Sequence, residues 1–118
     1  MVGSVIVLDQ NGLEILHDVD NDQDLLRVLQ QTVDGFIEIV YPQGLPKPYL
    51  MVVNEEGLLR GMDLNPIASS LYGILDHGFP IVGPAAICKQ IWTADGPDIG
   101  PLEDSDIPRV VDILWRCL

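Results

Sequence analysis

The chain has 118 residues, 47% hydrophobic and 20% charged, which is apolar enough for a packed core and short enough for one domain. Eighteen Asp and Glu against six Lys and Arg give a formal net charge of −12 at pH 7. Nonspecific nucleic-acid binding and docking on an anionic membrane both need clustered cations, so no direct nucleic-acid partner and no membrane partner are expected.

Residues 4–8 (SVIVL) are rich in β-formers, and residues 13–16 (LEIL) follow after Asn11-Gly12. Asn-Gly between two apolar runs predicts a hairpin. The apolar start has no basic flank and ends at Asp9, so it reads as a strand rather than a secretory leader, and the expected location is the cytoplasm. An acidic stretch, 17–24, precedes apolar residues 25, 26, 29 and 33 at helical spacing. Asn21 or Asp22 is the expected cap, with aspartates in the first turn facing the positive end of the macrodipole, and Asp34-Gly35 the stop.

Residues 36–41 (FIEIVY) read as a strand and 42–48, with Pro42, Pro46 and Pro48, as a loop. Residues 49–53 (YLMVV) are apolar without a break, which predicts a central strand buried on both faces. Asn54-Glu55-Glu56-Gly57 is a turn, with 58–60 a short extended piece beyond it. Asn65 caps and Pro66 opens a second helix with Ile67, Ala68, Leu71, Tyr72 and Leu75 on its face. Residues 81–82 and 85–92 read as extended, and 95–101 as a Gly/Pro-rich loop. Ser105 caps a last helix with the stripe Val110, Val111, Leu114, Trp115 and Leu118. Interspersed strands and helices without βαβ spacing predict a single α+β domain over 1–118. Its sheet should be mostly antiparallel or mixed, with about three helices, an N-terminal β-hairpin and a C-terminal helix.

Chemistry-bearing motifs are few. Asp18, Asp20 and Asp22 alternate as in a calcium loop, but Gln23 and Leu29 stand where its Gly and Glu belong, so the segment reads as a solvated acidic turn. Cys88, Cys117, His17 and His77 have no zinc-site spacing, and the two cysteines read as unpaired buried thiols. Phosphate-cradling and nucleophile-elbow patterns are missing, so no metal, no cofactor and no catalytic residue is assigned. The candidate ligand-binding residues are Asn54, Glu55, Glu56, Gly57, Arg60 and Asn65. A central strand would hold the turn's carboxylates at a sheet end, Gly57 would supply a positive φ, and Arg60 with the helix start at Asn65 could receive an anion.

The segments Asp34-Gly-Phe-Ile-Glu38, Met51-Val-Val-Asn54-Glu-Glu-Gly57, Leu64-Asn65-Pro66 and Ile81-Val-Gly83-Pro84 resemble a family of uncharacterised small domains, a domain of unknown function. That family occurs in bacteriophages, plasmids and conjugative elements, and the resemblance implies a genomic setting more than a mechanism. It covers a core of about 1–92 and leaves about 93–118 as a C-terminal extension.

The role expected from composition and resemblance together is a small acidic, non-catalytic accessory protein of a phage or mobile element. It would counter a host process such as a defence system, in the host cytoplasm, by binding a host protein or a small anionic ligand. In one mode Asp18, Asp20, Asp22 and Asp24, within acidic runs 9–24 and 95–106 that hold no Lys or Arg, imitate a phosphate track and occupy a basic channel. In the other, the Asn54 turn, Arg60 and Asn65 sequester the anion. The alternatives are a small enzyme with Glu55 or Glu56 as general base and Arg60 as anion stabiliser, or a structural homo-oligomer, for example a homodimer through Trp92 and Trp115.

Overall fold

The chain folds back at Gln10-Asn11, one residue ahead of the expected Asn11-Gly12, between β1 (Val2–Asp9) and β2 (Gly12–Asp20), and Gly12 at φ 136° already pairs with Asp9. In the computed structural model, which describes residues 2–21, 24–73 and 80–116, the Asp9 carboxylate accepts from Asn11 N at 2.8 Å and Gly12 N at 3.1 Å and so locks this turn. β2 runs past the expected 13–16 into the acidic stretch. A bulge carries it: Gly3 faces Val19 and Val5 faces Leu16, so His17 and Asp18 share one partner, Ser4. Asp18 takes φ 59° there, and Ser4 Oγ lies 3.2 Å from His17 Nδ1.

Helix α1 (Leu25–Val33) departs from expectation at its start. Its N-cap is Asp24, no acid stands in the first turn, and Asp22 lies outside the described residues. The Asp24 carboxylate is drawn instead to Arg27, at 2.7 Å, one turn along. Asp34 ends the helix as expected, at φ 60°, with Gly35 N donating to Gln30 O.

β3 (Ile37–Val40) and β4 (Tyr49–Asn54) follow, then α2 (Pro66–Tyr72), β5 (Ala85–Thr93), β6 (Gly96–Gly100) and α3 (Asp106–Arg116). Residues 58–60 are not extended. They wind in a tight turn in which Arg60 N donates to Glu56 O and Met62 N to Gly57 O. β6 stands where a loop was expected. Ala94-Asp95 makes a hairpin turn that Gly96 leaves at φ 109°, and Pro97, facing Trp92, leaves only its outer edge without an N–H. Leu75, His77, Cys117 and Leu118 lie outside the described residues.

The six strands form one antiparallel sheet in the order β2-β1-β5-β4-β3, with β6 also on β5. β1 takes the first half of one β5 edge (Ile6 opposite Ile87) and β6 the second half (Lys89 opposite Gly100). Alternation sorts the side chains onto two faces. Val5, Val7, Leu50, Val52, Ala86 and Cys88 meet Leu25, Leu29 and Val33 of α1. Ile6, Leu8, Met51, Val53 and Ile87 meet Ala68 and Leu71 of α2 and Val110 and Leu114 of α3. All six residues of β4 are buried, as the unbroken apolar run predicts, and β3 flanks it. The result is a single α+β domain with an N-terminal hairpin and a C-terminal helix. Its radius of gyration, 13.3 Å, is that of one compact unit of this length.

Candidate functional site

The Asn54–Gly57 turn begins where β4 leaves the sheet. Asn54 is buried, and its amide is fully occupied: Nδ2 donates to Val33 O at 2.8 Å and Asp34 O at 3.2 Å, and Oδ1 accepts from Glu56 N at 2.7 Å. The turn is thereby pinned to the C-terminus of α1. Arg60 closes the same contact, its guanidinium donating to Asp34 O and, at 2.9 Å, to the Asp34 carboxylate. Gly35 is required between them. At φ 155° a Cβ would stand 2.8 Å from Asn54 Nδ2 and 3.2 Å from Arg60.

Gly57 has a different role from the one expected. It does not adopt a positive φ; a Cβ there would come 2.9 Å from Val82 Cγ2, so close approach of the neighbouring segment is what needs the glycine. Asn65 is 1% exposed, with Nδ2 donating to Leu8 O and Gly83 O, each at 2.9 Å, and Oδ1 accepting from Ala68 N at 3.1 Å. It caps α2 as expected and ties that helix to the end of β1.

The six candidate ligand residues therefore do not share one pocket. Glu38, Asn54, Glu55 and Gly57 line a groove of about 450 Å³ together with Leu58 and Leu59. Asn54, Glu56 and Arg60 line a smaller one of about 270 Å³ against Gly35 and Phe36. Asn65 lines neither. A third cleft, about 440 Å³, holds Asp9, Asp34 and Asp63 and, among the described residues, no Lys or Arg. Of the four candidate partner-binding aspartates, Asp18 and Asp20 stand on β2, Asp24 pairs with Arg27, and Asp22 lies outside the described residues.

A cluster that the sequence reading missed sits at the other end of β4, on the α3 face of the sheet. Asp106, 5% exposed at the start of α3, accepts from Tyr49 Oη at 2.7 Å, Lys89 Nζ at 2.9 Å and Glu103 N at 2.9 Å. Lys89 also reaches Glu103 at 3.2 Å. Burial opposes the charge of Asp106, but the bonds from Lys89, Glu103 N and Tyr49 outweigh it and hold its carboxyl below the usual range. Burial likewise opposes the charge on Lys89, and the bonds to Asp106 and Glu103 prevail and raise it. The Tyr49 hydroxyl is pushed up by burial and by Asp106. A lone Lys within the apolar run of residues 85–92 was the available signal. Tyr49 is 2% exposed, so the cluster is a staple between α3 and the sheet rather than an accessible site. On the α1 face Cys88 is a buried thiol, its pKa pushed up to about 12 by burial.

Fold and site together define a small antiparallel α+β domain in which Asn54, Arg60 and Asn65 serve the protein's own architecture, on a chain of formal net charge −12. The chain belongs to the DUF3846 family, a domain of unknown function, whose profile matches residues 3–113. The match spans β6 and reaches into α3, beyond the segments that carry the resemblance in the sequence. No curated protein and no solved structure matches the chain. No described helix is long and apolar enough to cross a membrane.

Proposed function

We propose that this protein acts by binding, through its acidic surface, a partner with a basic nucleic-acid-binding channel. The observation that carries this reading is where the cations go. Arg27, Arg60, Lys89 and Arg116 are each held by carboxylates of the protein itself. Asp9, Glu14, Asp18 and Asp20 follow one another along the β1–β2 turn and the outermost strand β2. They are spaced unevenly and, across the bulge, on both faces of β2, and together they give this edge of the sheet the negative charge that a basic groove would meet.

The anion-pocket reading draws less support. The polar atoms of Asn54 and Asn65 are committed to backbone groups, and Arg60 to Asp34. The resemblance to domains of phages, plasmids and conjugative elements suggests a host protein as the partner, such as a component of a defence system.

The test is affinity capture from a host-cell extract at low and high salt, followed by competition with duplex DNA. Capture should weaken steeply with salt, be displaced by DNA, and be lost when Asp18, Asp20, Asp22 and Asp24 are all changed to Asn. Arg60→Ala should retain it. Salt-insensitive capture that survives the four-Asn variant and fails with Arg60→Ala would restore the pocket.

A further inference from the structure

The two outer strands of the sheet are guarded unequally. β2 is broken by its bulge and carries Glu14, Asp18 and Asp20, which discourages another strand from pairing with it. β3 has no bulge and no proline, and no described strand lies beyond it. Its hydrogen-bond phase follows from one contact. Glu55 N donates to Phe36 O, so Glu38 and Val40 bond inward to β4, while Ile37 and Ile39 turn their N–H and C=O groups to the open edge.

The two faces of that edge differ in chemistry. On the α1 side stand Ile37 and the partly exposed Ile39. On the other side runs the groove with Glu38 and Glu55 and with Leu58 and Leu59, exposed by 59% and 88%. Among the described residues, no Lys or Arg lines that groove.

We propose that β3 is a docking edge for an extended segment of a partner protein that alternates basic and apolar residues and adds to the sheet as a further strand. Backbone bonds to Ile37 and Ile39 would set its register. Its basic side chains fall on the groove face, opposite Glu38 and Glu55, with their aliphatic stems along Leu58 and Leu59. Its apolar side chains fall beside Ile37 and Ile39. Charge selects against a second copy of this chain, since pairing two β3 strands would bring Glu38 and its counterpart together on molecules of net charge −12. This surface is separate from β2 and does not depend on the role proposed for it.

The probe is a short peptide of alternating Lys and Val, with a second version N-methylated on the amides that would face β3. Amide hydrogen exchange is read by NMR on the full chain at physiological ionic strength. The first peptide should slow exchange at Ile37 and Ile39 about tenfold, and the methylated one, of equal charge, should leave it unchanged. Glu38→Lys, an exposed change that keeps the fold, should abolish the protection. Equal protection by both peptides, protection unaltered by Glu38→Lys, or none at Ile37 and Ile39 would overturn the proposal. So would slow exchange there in a dimer of the protein alone, which would assign the edge to a second copy.

Discussion

Asn54 and Arg60 look equivalent in sequence, two polar residues of one turn, and their surroundings make them unequal. Asn54→Ala strips partners from buried backbone groups at the end of α1, and should cost about 1–3 kcal/mol in urea unfolding. Arg60→Ala removes an ion pair whose guanidinium is 40% exposed, worth about 0–1 kcal/mol. Equal losses would mean that Arg60 anchors the turn as firmly as Asn54. Cys88 makes a second test. A thiol buried in the sheet with its pKa pushed up to about 12 should resist iodoacetamide at pH 8 in the folded protein and react once urea unfolds it, as peptide mapping would show. The importance of Asn54 was legible from its place after a buried strand. That its amide would serve α1 was not, because Val33 and Asp34 come near it only when the helix packs across the sheet.

Helix α3 is fastened to β4 and β5 by Asp106. Asp106→Asn should cost about 3 kcal/mol, since it leaves Lys89 half-buried without its closest carboxylate. The pH dependence has a definite sign. The Asp106 pKa is lowered on folding, so its contribution is present above the unfolded value of about 3.9 and is lost as pH falls through the folded one. Lys89 is raised, so its contribution is complete below about 10.4 and is lost as pH rises through its folded value. The gap in Tm between wild type and Asp106→Asn should therefore close on acidification below about pH 4; a gap that persists there would show a packing effect instead. Period and turn chemistry made most elements readable. β3, β4 and β5 announce themselves by apolar runs, α2 by Asn65-Pro66. β6 and the outer half of β2 did not, because Pro97, Gly100, His17 and Asp18 have no strand preference and are held extended by the partners β5 and β1. Trp115, read as part of the α3 stripe, is 71% exposed, one position round from the buried Leu114.

Across the whole molecule, charge is the large effect that packing does not balance. With a net charge of −12, moving from low salt to moderate salt should raise stability by about 1 kcal/mol, or roughly 4 °C in Tm, by screening self-repulsion. A fall in Tm would mean that the surface ion pairs outweigh it. Composition stated that excess plainly; it could not say which carboxylates the protein's own cations would cover, since Lys89 and Asp106 meet only through the fold. Connectivity adds a temporal consequence. β1 finds its inner neighbour only at Ile87, and Ser4 and Leu102 exchange backbone hydrogen bonds at 2.8 and 2.7 Å. A nascent chain can close its first hairpin early, but the strand that joins this hairpin to β4 arrives late, and the segment that seals β1 later still. The sheet of the domain should remain open on the ribosome until the segment around Leu102 has emerged, and close only then.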